Sequence, residues 1–301
     1  MRDAFLKMAF SLLFFCAISA KAQYYYYDNN YYEKDVIWEI GASTGIMNCM
    51  TDVGGKKGSK LFPIGQVVWK TSQLNASFYV TAMYQQLVGL RIEATWGGVA
   101  GADSLGEDPN RNLSFRSAIN EIAAVGEFHP LMLRYREMAP MFSPYITLGL
   151  GWFSFNPQTF YNGRWVDLQP LRTEGQLFRD AAGTIVNPNK AYNLSQAAAI
   201  WGFGVKYDVS QLLTARLEFM YRQMFTDYLD DVSRVYIDNS LFAQNLTPEK
   251  ATLAEALYKR AGEKNGTIPP DGDIRGNSKS NDGFFSFNFK LGINLGRQKI
   301  N

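Results

Sequence analysis

The sequence predicts an all-β chain: a transmembrane antiparallel β-barrel of about eight strands, OmpA/OmpX-like, with long extracellular loops and short periplasmic turns. Three observations carry that expectation. Phe284 to Gly296 (FFSFNFKLGINLG) alternates without a fault, with Phe285, Phe287, Phe289, Leu291, Ile293 and Leu295 on one face and small or polar residues on the other. The same two-residue period recurs along the chain, behind an N-terminus that reads as a secretion signal. Few segments look able to form a covering layer, so the apolar face is expected to meet lipid and the polar face to line the lumen.

The strands follow in order. Val36 to Ile46 places Trp38, Ile40 and Ala42 opposite Glu39, Gly41 and Ser43. Ala76 to Tyr84 is the second, and Val88 to Trp96 the third, with Arg91 and Glu93 on its polar face. Arg116 to Phe128 sets Glu121 and Glu127 against Ile122, Ala124 and Phe128. Tyr145 to Phe155 and Ala198 to Asp208 are the fifth and sixth. Leu213 to Arg222 repeats the third, with Arg216, Glu218 and Arg222 inward, and Phe284 to Gly296 closes the set. Each is near the roughly 9–11 residues that a tilted strand needs to cross hydrocarbon. Phe62 to Lys70 is also strand-like, and either extends the second strand or adds one. Connections alternate between short turns and four long polar loops, loops 1 to 4, which follow strands one, three, five and seven; that puts turns on one side of the membrane and loops on the other. In the last loop, Thr247-Pro248-Glu249 opens a helix with Thr as N-cap, and Gly262 is its expected stop.

Residues 1–22 have the charge, apolar core and small-residue end of a signal peptide cleaved near Ala22. Cys16 offers a lipoprotein reading, but Leu13-Phe14-Phe15 before it lacks the small residue that lipid attachment wants. Residues 23–35 form a tyrosine-rich tail, read either as a disordered leader or as a docking segment, and the barrel is assigned to residues 36–301. Both termini are then periplasmic, in the outer membrane of a Gram-negative bacterium. After the signal no run approaches the roughly 18 apolar residues of a spanning helix, which leaves a closed barrel as the way to sit in lipid.

The 301 residues carry a formal net charge of +2, which gives no electrostatic reason to expect nucleic acid, and an aromatic share of 15% that suits interfacial girdles. The inward set is Glu39, Arg91, Glu93, Glu121, Glu127, Lys206, Arg216, Glu218, Arg222 and Lys290. Both signs are present in similar number, so paired charges are expected to fill so narrow a lumen. A thin ion path lined by the same charges is the functional alternative. Catalytic constellations are sparse: the single histidine, His129, precedes Pro130 at a strand end, and no HExxH or paired-cysteine motif occurs. Asp227, Asp230, Asp231 and Asp238 could offer oxygen ligands to a hard cation, against the plainer reading of a solvated loop. Cys49 reads as an inert loop or strand-end residue. No enzyme activity, cofactor, metal site or small-molecule substrate is assigned.

Four segments, NRNLSFRS (Asn110 to Ser117), SPYITLGLGWFSFNP (Ser143 to Pro157), WVDLQPLRTEGQ (Trp165 to Gln176) and FTDYLDDVSRVYID (Phe225 to Asp238), resemble the DUF6089 outer-membrane proteins of Bacteroidetes-type bacteria. That family includes the PorG component of the type IX secretion system. The resemblance implies a non-enzymatic barrel that anchors the periplasmic ring of a secretion machine, with outer-membrane lipid and ring proteins as partners. A small channel or transport protein is the alternative. As structural determinants it points to Asn112, Phe115 and Arg116 beside loop 2, Gln169 and Glu174 in loop 3, and Asp227, Tyr228 and Asp230 in loop 4. These loops are expected to pack together as a cap over the barrel mouth.

Overall fold

A computed structural model describes residues 31–54, 67–134, 141–265 and 268–299. Among the described residues nine strands follow in chain order: β1 (Tyr31–Met50), β2 (Gln73–Tyr84), β3 (Val88–Ala102), β4 (Ser114–Phe128), β5 (Phe142–Tyr161), β6 (Arg164–Asp167), β7 (Ser195–Asp208), β8 (Leu213–Met224) and β9 (Gly283–Lys299). All but β6 pair antiparallel with two neighbours. The order β4-β3-β2-β1-β9-β8-β7-β5 is closed by β4 against β5, giving an eight-stranded barrel without an edge. The short β6 pairs only with the end of β5, as a hairpin standing above the wall. Its turn, Asn162-Gly163, takes positive φ at both residues, which asparagine and glycine tolerate best.

Alternation fixes which side faces what. In β4, Phe115, Ser117, Ile119, Glu121, Ala123, Val125 and Glu127 are buried, while Arg116, Ala118, Asn120, Ile122, Ala124 and Gly126 are exposed. Outside, Trp38, Ile40, Leu90, Ile92, Leu148, Leu150, Leu291 and Ile293 form an apolar belt, with Leu148 and Leu150 each 66% exposed. On a closed barrel with a polar interior, that belt is the surface of a membrane-spanning protein. Leu148→Arg is therefore expected to cost about 2–4 kcal/mol in lipid, read as a shift in denaturant unfolding from vesicles. The same change at exposed Asn189 in loop 3 should cost nothing measurable.

Several strands run past their sequence-based limits. β1 and β5 each have 20 residues, which at ~3.3 Å per residue reach ~65 Å along the strand, well beyond a ~30 Å hydrocarbon core even when tilted. The wall therefore projects above the membrane at the loop end. At the turn end, β1 begins at Tyr31, where it pairs with Lys299. The tail expected over 23–35 is thus strand in its last residues, and residues 23–30 lie outside the described chain. The described part of Phe62 to Lys70 adds no strand, since Val67 and Val68 are unpaired and Trp69 and Lys70 form a turn. The Val67–Ser72 segment instead lies against the outside of the wall. Asn48, outward in β1, donates to the Ser72 hydroxyl at 3.1 Å. Val67 packs on an outward aromatic cluster of Phe219, Tyr221 and Phe285, all buried.

Glycine is required where tyrosines cross the lumen floor. A Cβ on Gly41 or Gly292 would lie within 2.7 Å of the Tyr79 ring or hydroxyl, and one on Gly204 would lie 2.6 Å from Tyr145. The long loops carry helices Ser240–Asn245 and Pro248–Tyr258 and a short turn, Gly262–Asn265. Thr247 takes the extended N-cap backbone and Pro248 the first turn, as the sequence suggests, although the Thr247 side chain makes no capping bond. Gly262 does not end this helix: it stops at Tyr258, and Gly262 begins the next turn.

Candidate functional site

The lumen is filled in two layers. Toward the turn end lies a network of charges drawn from five strands. Arg91 meets Glu93 at 3.1 Å, Glu127 at 2.9 Å and Glu218 at 2.8 Å. Arg216 meets Glu127 at 2.7 Å and also binds Glu39, to which its Nε donates at 3.0 Å. Lys290 lies 2.6 Å from Glu93 and 2.9 Å from Glu218. Tyr79 and Tyr145 donate to Glu39 and Glu218 at 2.7 and 2.9 Å. Lys206, near the rim, pairs with Asp208 at 3.3 Å. Above this network, Arg222 pairs with Glu121 at 2.9 Å and donates to Ser286 at 2.6 Å. Every member of the sequence-derived inward set is buried. Ions removed from water at a cost of several kcal/mol each must be met by close partners, and here they are met by crossed ones.

His129 joins this layer, as its place in the sequence alone did not reveal. Its ring stacks on Tyr145 with centroids 5.0 Å apart, Nδ1 lies 2.9 Å from the Ser143 hydroxyl, and Nε2 lies 3.5 Å from Glu127. Serine, histidine and glutamate therefore sit in the order of a hydrolytic triad. All three are buried, however, and Glu127 is already engaged by two arginines. The set pins the β4–β5 turn, where the His129 N–H also donates to Leu87 O at 2.8 Å.

Nearer the loop end the filling is apolar and continuous with the loops. Met47, Val99, Ile119, Phe153, Met224 and Phe284 project into the barrel and join Val53, Leu171, Phe178, Tyr192, Leu229, Ile237, Phe242 and Leu257 in one core. Polar contacts fasten the four loops around it. Arg111 of loop 2 binds Asp103 at 2.8 Å and donates to the carbonyls of Asp52 in loop 1 and Arg275 in loop 4. Glu174 of loop 3 accepts from the N–H groups of Ser233 and Arg234 at 2.8 and 3.0 Å, from Arg275 at 3.0 Å and from the Tyr228 hydroxyl at 3.2 Å. Asp231 accepts from Thr173 at 2.6 Å and Tyr192 at 2.7 Å, while Arg275 holds it charged against a burial that still pushes its carboxyl up to about 6.

The residues taken from the family resemblance divide. Glu174, Tyr228 and Asp230 lie inside the loop junctions, and Phe115 is in the apolar core. Asn112, in the left-handed region at φ 59°, donates to Arg260 O at 3.2 Å and so ties loop 2 to loop 4. Gln169 bonds within loop 3, to Tyr192 O at 3.2 Å. Arg116 does not enter the cap: it faces outward, stacked 3.5 Å over the Trp165 ring and bonded to Gln158. The four aspartates weighed as cation ligands do not all converge. Asp238 caps an exposed helix start at Ser240, and Asp231 points to loop 3. Among the described residues no group of three carboxylate, histidine or cysteine side chains is arranged to hold a metal ion. Cys49 sits half-buried at the end of β1 with its thiol toward Ala100 O.

No family model and no curated protein matches the chain. Among solved structures it is similar to Ail, the attachment invasion locus protein of Yersinia pestis, at 8% identity over 86% of this chain and 99% of that one, with a TM-score of 0.37. It is also similar to OprG from Pseudomonas aeruginosa, at 11% identity over 86% and 95% of the two chains and a TM-score of 0.37. Neisserial surface protein A gives 8% identity over 87% and 98%, with a TM-score of 0.35.

Proposed function

We propose that this chain is an outer-membrane barrel acting as a non-enzymatic anchor in a protein-secretion assembly of the type IX kind, in contact with a periplasmic ring. The filled lumen carries this reading. Two stacked layers, one of crossed ion pairs and one of packed aromatics and aliphatics, favour action through surfaces over passage of a solute. The resemblance of the four quoted segments to the DUF6089 family supplies the secretion context. The surfaces for a ring partner are the tyrosine-rich tail over 23–35, the turn Leu131 to Pro140 and the end Arg297 to Asn301.

Affinity capture of tagged protein from cross-linked outer membranes tests the proposal. Recovery of a ring lipoprotein with its partner supports it, and loss of that capture on deleting residues 24–30 would place the contact on the tail. Recovery of the barrel with no periplasmic protein overturns it. In planar bilayers the protein is expected to show no conductance steps. Sustained steps would favour the channel alternative.

A further inference from the structure

Above the membrane the outer face of the wall is not uniform. On β8 and β9 its outward residues are aromatic and covered: Phe219, Tyr221 and Phe285 are buried. On β4, β5 and the β6 hairpin they are polar and open. Arg116, Asn120 and Asp167 are exposed, and Ser154, Asn156 and Gln158 are half-buried. These groups form a ladder of hydrogen bonds. Asn120 donates to Ser154 at 3.4 Å, Asn156 and Gln158 donate to Asp167 at 2.9 and 2.7 Å, and Arg116 Nε donates to Gln158 at 3.3 Å. The ladder runs between two aromatic edges, Trp152 below and Trp165 above, with Phe160 edge-on to Trp165. Arg116 lies 3.5 Å over the Trp165 ring, and its two terminal guanidinium nitrogens bond to no described residue.

Height decides what can reach this strip. Along β5 the outward Phe142, Ile146, Leu148, Leu150 and Trp152 are all exposed. At ~3.3 Å per residue and ~40° tilt they span ~25 Å, the height of a lipid-facing band with an aromatic at each edge. Trp152 therefore marks the loop-end border of the hydrocarbon. Gln158, which pairs with Arg116, stands ~15 Å above it on the same geometry. The polar zone of a phospholipid leaflet is only ~5–8 Å deep, given ~40–45 Å of bilayer around a ~30 Å core. A phospholipid head would end near Ser154, short of Arg116, whereas a head built of several sugars would run the full ladder. Sugar hydroxyls donate and accept, as do the amides of Asn120, Asn156 and Gln158, and Asp167 adds an acceptor. The free edge of Arg116 suits an anionic group carried on the sugars, such as phosphate.

We propose that the outward ladder from Asn120 up to Arg116 and Trp165 binds the oligosaccharide head of an outer-leaflet glycolipid, with Arg116 on an anionic group of the sugars. The acyl chains of that lipid then lie on the belt at Ile122 and Trp152, so the site continues the lipid-facing surface upward. This rests on the outer-membrane placement proposed above and stands apart from any secretion role.

Native mass spectrometry of the full chain folded in detergent micelles, titrated with lipopolysaccharide bearing its core sugars, tests this whatever membrane the protein occupies in cells. Cell fractionation, which tests the outer-membrane placement, is read separately. Arg116→Ala should weaken binding at least about tenfold, as expected for lost hydrogen bonds to a charged group, and Trp165→Ala should weaken it as well. Arg164→Ala removes an exposed arginine whose side chain alternates to the other face of the same hairpin, and should bind as wild type does. Lipid A, which lacks the core sugars, and phosphatidylglycerol should each bind wild type and Arg116→Ala alike. Equal affinity of wild type, Arg116→Ala and Trp165→Ala for the core-bearing form, with all three folded on gels, overturns the site. An equal loss in Arg164→Ala also overturns it, since net charge alone would then be responsible. So does an Arg116→Ala loss that persists with lipid A, which would set the contact at the height of the membrane phosphates.

Discussion

Arg91→Met is expected to be among the most damaging single changes in the barrel. The arginine is wholly buried and shared by Glu93, Glu127 and Glu218, drawn from β3, β4 and β8. Methionine keeps much of the length but leaves three carboxylates around one lost charge. Removing one partner of a buried pair costs about 3–5 kcal/mol, because the remaining charge stays out of water. Adding Glu218→Gln should recover part of that loss. Glu127 would still be met by Arg216 and Glu93 by Lys290, and Lys290 would keep Glu93 as its partner. The pair should therefore be non-additive in a double-mutant cycle, by the 0.5–3 kcal/mol of roughly coupled neighbours. Urea unfolding from vesicles measures it. A loss under about 1 kcal/mol for Arg91→Met would mean that water enters and solvates the lumen, contrary to a filled interior. Conductance should stay absent in this variant, since the apolar layer above remains.

Much of this was legible in the sequence, and the reason is period. A two-residue repeat assigns each residue to a wall face wherever the strand lies, so Arg91, Glu127, Arg216 and Lys290 could be placed inward without knowing their partners. Which charge meets which depends on strand stagger around the barrel, and no local pattern encodes that. The strand ends were less legible, because Tyr31 and Thr159 pair beyond the membrane, where outward residues no longer need to be apolar. Phe219, Tyr221 and Phe285 read as lipid-facing by parity and are instead covered, with Val67 against them. The loop helix was found from its N-terminal signals, but β6 is too short to show a period. His129 was hardest: its partners Ser143 and Tyr145 belong to the next strand and meet it only through the β4–β5 turn.

Glu174→Ala is expected to open the cap while sparing the wall. The Glu174 carboxylate is buried and accepts two backbone N–H groups of loop 4, the Arg275 guanidinium and the Tyr228 hydroxyl. Alanine would orphan the Ser233 and Arg234 donors, at about 1–3 kcal/mol for each buried group left unsatisfied. Arg275 would keep the Asp231 carbonyl at 2.6 Å, and Tyr228 its stacking on Tyr192 at 4.8 Å, so the losses do not simply add. A net cost of about 2–4 kcal/mol, or roughly 30- to 1000-fold more open cap, is expected. It should fall on the loop junction, because among the described residues the partners of Glu174 all lie in loops 3 and 4. Limited proteolysis should then cut loop 4 between Ser233 and Arg275 far faster than in wild type, with the strands still protected and the barrel still folded on gels. Glu174→Gln retains an acceptor for the N–H groups but loses the charge opposite Arg275, and should fall between the two. Asp167→Ala, on the exposed β6 hairpin, should leave loop 4 as resistant as before. Were Glu174→Ala to leave loop 4 fully resistant, the apolar core around Phe178 and Phe242 would be holding the cap by itself, and the polar junctions would be setting only its register.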